Sequence, residues 1–291
     1  MAGSGRPAAG AGVVGVVGAR GGAGATVTAA ALAAELARRG TAVLVDTGPG
    51  PSVDTVLGLE AHPGLRWPDL DGARGAVDPA LLAGNLMRWG RCGVLPTDDA
   101  RPGPPPPGVL GDVVRALAAA HGSVVLDVDR AAVLGAAVEA GGSVAVDAPV
   151  AGDARAVGDG PAGTGGPADA RRLAGAAAAV GADEGPALRG ATLLAACRTV
   201  LVVVPRDVPA VAGARLLRDG LVGAGRRVGV VARAPAPGGL GVEEVAAAVG
   251  LPVVASLPWA RGLGAAVDSG VGPALPSAAA RAVQRLARRL T

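Results

Sequence analysis

Lysine, isoleucine, phenylalanine and tyrosine are absent from this 291-residue chain, whose 27 basic residues are all arginine and whose only aromatics are three tryptophans. Without lysine, the chain cannot form a Schiff base on one, nor supply the lysine of an ordinary phosphate-binding loop, of a protein-kinase fold or of the Tyr/Lys pair of short-chain dehydrogenases. The two histidines (His62, His121) and two cysteines (Cys92, Cys197) lie far apart, so a structural zinc site would need all four to converge. Trp67, Trp89 and Trp259 are too few for a platform that stacks nucleic-acid bases. No uncharged apolar run approaches the roughly 18 residues of a membrane span. The early Val run is too short and glycine-rich for a signal sequence, which predicts a cytoplasmic protein with reduced thiols.

Half of the residues are hydrophobic, 49 are Gly and 24 are Pro, and the net charge is only +3. With charges nearly balanced and arginines scattered except near the C-terminus, no sequence-specific nucleic-acid partner is expected. Short Val/Leu runs at 13–17, 42–46, 92–95, 123–127, 199–204, 227–231 and 252–256 alternate with stretches of helical period. The helical stretches are 26–39, 108–120, 208–219, 242–249 and 277–290. Strands of continuous apolar character are covered on both sides, which predicts an α/β fold: a doubly wound, mainly parallel sheet with helices on both faces. Residues 101–108, RPGPPPPG, read as a stiff polyproline connector. A disordered stretch at 1–10 is expected to precede a single domain over 11–291, with a low-complexity, mostly disordered insertion at 141–190.

The first apolar run leads directly into Gly18-Ala19-Arg20-Gly21-Gly22-Ala23-Gly24-Ala25-Thr26 and then into a helical stretch. Strand, glycine loop and helix N-terminus together form an anion cradle, because glycines let backbone N–H groups turn towards a phosphate and the helix dipole favours its charge. Two acids, Asp46 and Asp127, end later apolar runs and so reach the edge of a doubly wound sheet where ligands bind. The plainer alternative is that the glycines only make a tight turn and the acids only end strands. Asp46 also lies about 20 residues past the loop, as the ribose-binding acid of a Rossmann oxidoreductase would, but no His, Tyr or Lys constellation is present to move a hydride.

The run Arg20-Gly21-Gly22-Ala23-Gly24-Ala25-Thr26 resembles a degenerate form of the deviant Walker A motif, KGGxGK[ST], of the MinD/ParA group of P-loop ATPases. The later segments TVLVVVPRD, RRVGVVARAPAPGGL and VEEVAAAVGLPVVASLPWARGLGAAVDSG follow the order of the late strands and helices of MinD-like proteins. The phrases GARGGAGAT, GLRWPDL and ARAPAPGGL are similar to the actinobacterial septum-site-determining (Ssd) or CpaE/TadZ-like branch. The resemblance implies a P-loop fold and Mg·ATP as cofactor. Arg20, Gly21, Gly22, Ala23, Gly24, Ala25 and Thr26 would form the nucleotide loop, with Thr26 and Asp127 as Mg²⁺ ligands and Asp46 and Asp127 at the family's acid positions. It also exposes departures. Gly48 replaces the second acid of the family's DxD segment, Ala232 replaces its adenine-contacting Asn, Arg20 stands for the intermonomer lysine, and Ala25 replaces the lysine that holds the phosphates. Losing one charge-assisted contact, worth about 1.5–3 kcal/mol, lowers affinity by one to two orders of magnitude. Weak or absent ATP binding without efficient hydrolysis is expected, with Arg20 or a partner's arginine compensating.

The stretch Ser277–Leu290, SAAARAVQRLARRL, places Arg281, Arg285, Arg288 and Arg289 opposite Val283, Leu286 and Leu290. It reads either as a terminal helix packed on its own domain or as a peripheral contact with the inner face of a membrane. Trp67 reads equally as a partner anchor or a core cap, and both cysteines as core residues. The functional expectation is spatial positioning, of the division septum or of a pilus or secretion apparatus, through a homodimer and protein partners. A nucleotide-independent scaffold is the alternative.

Overall fold

The computed structural model describes residues 10–73, 77–139, 185–222 and 225–291. Its eight strands are β1 (Gly12–Gly18), β2 (Ala42–Asp46), β3 (Met87–Trp89), β4 (Cys92–Leu95), β5 (Ser123–Val128), β6 (Thr199–Pro205), β7 (Arg227–Arg233) and β8 (Val253–Leu257). They form one sheet in the order β3-β4-β2-β5-β1-β6-β7-β8. Every pairing is parallel except the edge hairpin β3–β4. The helices are α1 (Ala25–Ala37), α2 (Val53–Leu57), α3 (Pro79–Asn85), α4 (Pro107–Ala120), α5 (Arg130–Glu139), α6 (Pro186–Ala196), α7 (Val208–Leu221), α8 (Val242–Val249), α9 (Leu263–Asp268) and α10 (Ser277–Leu290).

Alternation along the buried strands divides the core in two. Val13, Val17, Val43, Val45, Val124 and Leu126 face one side, with α4, α6, α7 and α8 packed over them. Val14, Val16, Leu44, Val125 and Val203 face the other, beneath α1 and α10. The expected doubly wound sheet with helices on both faces is therefore present, and the predicted strands lie within one or two residues of the observed ones. The short edge strand β3 was not expected: it has three residues, one of them the exposed Arg88, and is too brief to show a period.

Helices α5 and α6 were also unexpected, because glycine in a helical stretch weakens the helical signal. Here the glycines permit close packing. A Cβ at Gly190 would stand 1.9 Å from the Ala132 carbonyl oxygen, and one at Gly135 would stand 3.0 Å from the Ala187 nitrogen. Helix α6 starts at Pro186, so the insertion expected at 141–190 does not extend to its last five residues. Residues 140–184, like residues 1–9 of the expected disordered start, lie outside the described residues. The polyproline stretch gives way to α4 at Pro107.

Helix α10 resolves the two readings of its sequence towards self-packing. Val283, Leu286 and Ala287 are buried against the second core cluster, and Arg281, Arg285, Arg288 and Arg289 are exposed. Its apolar face is thus already covered by its own domain. Among the described residues no helix is long and apolar enough to cross a membrane.

Helix α7 presses on the end of β1 through Gly213, where a Cβ would stand 2.1 Å from the Ala19 carbonyl oxygen. Gly213→Ala should therefore cost about 1–3 kcal/mol of stability, the usual range for overpacking. Gly108→Ala, in α4 where a Cβ meets nothing within 4 Å, should be neutral or stabilising by up to about 1 kcal/mol. Urea denaturation of both variants checks the contrast, and equal midpoints would refute the close approach.

Candidate functional site

The carboxyl ends of β1, β2, β5, β6 and β7 bring the loop and both acids to one edge of the sheet. Ala19, just past β1, donates its N–H to the Val203 carbonyl (3.0 Å), and its own carbonyl accepts from Arg130 Nε (3.0 Å). The loop then turns through two left-handed glycines, Gly22 at φ 69° and Gly24 at φ 82°, a conformation that costs glycine little. Arg20, Gly21 and Gly22 are exposed, Ala23 is buried, and Gly24, Ala25 and Thr26 are half-buried. Gly24 caps α1 with no side chain, so no side-chain acceptor occupies the first-turn N–H groups. The Ala25 methyl packs against the core cluster beneath α1.

Asp46 and Asp127 are register partners on the neighbouring strands β2 and β5. Asp46 is saturated. Its Oδ1 accepts from Gly48 N (3.1 Å), and its Oδ2 accepts from Val53 N (3.0 Å) and Thr97 Oγ1 (2.8 Å). Burial raises its pKa above the usual carboxylate value against these hydrogen bonds. This acid braces the start of α2 through its bond from Val53 N.

Asp127 is held differently. Burial, the largest cause, and the neighbouring carboxylates of Asp46 and Asp129 push it up to about 7, against the opposing influence of the nearby Thr26 hydroxyl. The Thr26 hydroxyl and the Asp127 carboxylate, the two expected Mg²⁺ ligands, are thus neighbours and are the kind of hard oxygens that Mg²⁺ takes. Among the described residues no three His, Cys, Asp or Glu side chains cluster to hold a metal. A Mg²⁺ at this place would lean on phosphate oxygens. Asp129 belongs to the fold: it caps α5, accepting from Ala131 N (3.2 Å) and Ala132 N (3.3 Å).

Arg20 does not point freely across the loop. Its Nη2 and Nε donate to Asp207 (2.7 and 3.4 Å), and its Nη1 donates to the Gly21 carbonyl (3.0 Å). Asp207 in turn caps α7 by accepting from Ala210 N at 2.8 Å, and Arg20 holds its carboxyl below the usual range. Arg130, Asp207 and Arg233 are site residues that the sequence reading did not identify. Each stands at or beside the carboxyl end of a strand, and that position is the signal that could have found them.

The remaining singled-out residues serve the core. Trp67 is 1% exposed and its indole N–H donates to the Asp46 carbonyl (2.7 Å), so it is a core anchor and offers no surface to a partner. Ala232 is fully buried in β7. Burial pushes both thiols, Cys92 and Cys197, up to about 12, which keeps them protonated.

The Asp127 shift has a measurable consequence. From an ordinary value of 3.8 to a folded value of about 7, the folded chain holds a proton that the unfolded chain has released. Asp127 therefore favours the fold fully below about pH 4, and this contribution disappears as pH rises through about 7. Relative to Asp127→Asn, which does not titrate, wild-type stability should fall by up to about 4 kcal/mol over that window. Urea denaturation of both proteins across the pH range reads the difference, and a pH-independent gap would contradict it.

No protein-family model matches the chain. It is 32% identical over 246 residues to uncharacterized proteins from two strains of Mycobacterium tuberculosis, covering 84% of this chain and 54% of each relative. The chain thus spans about half the length of the curated relatives it matches. Among solved structures it is similar to a ParA family ATPase from Chlorobium tepidum (TM-score 0.66, 14% identity, 96% of this chain and 98% of that one). It is similar also to the septum site-determining protein MinD of Pyrococcus horikoshii complexed with Mg-ADP (TM-score 0.62, 15% identity, 96% and 95%). A third is the MinC:MinD cell division complex of Aquifex aeolicus (TM-score 0.62, 17% identity, 96% and 95%). The chain has the fold of the MinD/ParA P-loop ATPases, with its glycine loop, Thr26 and both acids at the sheet edge where that fold is open to ligands.

Proposed function

We propose that this chain is a degenerate MinD/ParA-type P-loop protein that acts in spatial positioning, of the division septum or of a pilus or secretion apparatus. It takes Mg·ATP weakly, hydrolyses it inefficiently, and acts through dimerisation and protein partners. One observation carries this reading: the Thr26–Asp127 pair and the left-handed glycines Gly22 and Gly24 survive around a loop whose lysine position is Ala25. The donor set fits Mg²⁺ and a phosphate, and the missing element is the mobile cation.

Mg²⁺, when bound with nucleotide, supplies charge neutralisation of the phosphate oxygens. The chain's own part is to orient them with loop N–H groups and to present the Thr26 hydroxyl. Without a lysine at residue 25 the transferring group loses the main source of transition-state charge stabilisation, on which phosphoryl transfer depends. The Mg-ADP held by the similar MinD structure supports the cofactor class, and the MinC:MinD complex supports a partner-based role.

The alternative, a nucleotide-independent scaffold, draws on the Arg20–Asp207 pair, which ties the loop's foremost arginine within its own protomer. The packed apolar face of α10 weighs against a membrane-anchored mode of action. Titration with a fluorescent ATP analogue, with and without Mg²⁺, separates the two readings. The nucleotide reading predicts saturable Mg²⁺-dependent binding that Ala25→Lys tightens by about 10- to 100-fold, with turnover near background in the wild type. Failure to saturate at millimolar nucleotide would leave the scaffold.

A further inference from the structure

Among the described residues, a cation packed against the loop pairs with no carboxylate. Arg233 ends β7, and its Nη1 donates to the Ala23 carbonyl at 3.1 Å. A Cβ at Gly24 would stand 2.8 Å from that Nη1 and 3.0 Å from Cζ, so the guanidinium lies directly against the loop glycine. The guanidinium also lies 5.5 Å from the centre of the half-exposed Trp259 ring, within cation–π range.

A guanidinium carries five N–H donors. Among the described residues the Ala23 carbonyl is the only acceptor bonded to this one, and no carboxylate pairs with it. Burial and the nearby Arg20 charge lower its pKa, yet arginine stays protonated under any working condition. Arg20, by contrast, is neutralised by Asp207, and the Arg130 Nε is spent on the Ala19 carbonyl. Arg130 and Arg206 at the same sheet edge also lack a carboxylate partner among the described residues, but Arg233 is the one whose guanidinium lies against Gly24, next to the lysine position at Ala25.

We propose that Arg233 is the surrogate for the missing loop lysine: its guanidinium meets the phosphate oxygens of a nucleoside polyphosphate held on the Gly21–Thr26 backbone. This rests on the nucleotide reading above and moves the compensating charge from Arg20 to a residue from the far half of the chain. Arginine suits the role because its planar fork can grip two phosphate oxygens at once. Trp259 and the Ala23 carbonyl hold it in place, so it binds the ground state without following a transferring phosphoryl group.

The test titrates a fluorescent ATP analogue with Mg²⁺ into the wild type and the variants Arg233→Ala, Arg233→Gln, Arg233→Ala/Ala25→Lys and, as control, Arg227→Ala at the exposed far end of the same strand. Arg233→Gln keeps a donor for the Ala23 carbonyl but no charge, so it separates loss of charge from loss of fold, with thermal melts as the check. Removing the charge should weaken binding at least tenfold in both single variants, the added lysine should restore it, and the control should bind as the wild type. Saturable wild-type binding that Arg233→Gln leaves unchanged or tightens would overturn the proposal while the nucleotide reading stands. A wild type that never saturates would overturn both.

Discussion

The site hangs from Ala19. Its N–H is fixed by Val203 on β6, its carbonyl by the Arg130 Nε from the start of α5, and Gly213 of α7 packs close enough that a methyl there would strike that same carbonyl. Three elements from distant parts of the chain thus set where β1 stops and the loop begins. The two left-handed glycines act on a fixed starting point, and the first turn of α1 is held in place to present its N–H groups. A loop of small residues would otherwise be too free to hold an anion, because ordering it costs about 1–2 kcal/mol per residue.

The same economy governs the core. Val, Leu and Ala fill both faces of the sheet, and Trp67 is the only aromatic fully buried in it. Small side chains bury little area each, so stability depends on close approach. The glycines at 135, 190 and 213 allow helices to touch helices and the loop at distances that a methyl group would forbid. Arginine carries every positive charge and is used for structure as well as binding: Arg66 pairs with the buried Asp54 at 2.8 Å, Arg20 with Asp207, and Arg130 with a backbone carbonyl. Arg233 bonds the Ala23 carbonyl and lies beside the loop that lacks its lysine.

Much of this was legible in the sequence where the physics is local. The Val runs at 42–46 and 92–95 match β2 and β4 because a strand buried on both faces has no alternative composition. The glycine loop and the acids at 46 and 127 could be placed at one edge because parallel topology puts successive strand ends together. Long-range roles were not legible. The hydrogen bonds that Thr97, Gly48 and Val53 give to Asp46 could not be read from the sequence, because only the fold brings Thr97 there. The pairing of Arg20 with Asp207, 187 residues away, was likewise invisible in the sequence. The brief elements β3 and α2 carry too few residues for a period, and α5 and α6 were masked by the glycines that let them pack.

On the proposed reading, a fold that keeps the glycine cradle and the neighbouring Thr26 and Asp127 but no loop lysine would bind nucleotide weakly at the loop. Hydrogen–deuterium exchange of the intact chain with and without millimolar Mg·ADP tests that description most directly, since it reads the loop amides themselves. The account predicts slowed exchange at the backbone of residues 20–26 and around Asp127 and Arg233, with the rest of the sheet unchanged. Identical exchange at the loop in both conditions would contradict it.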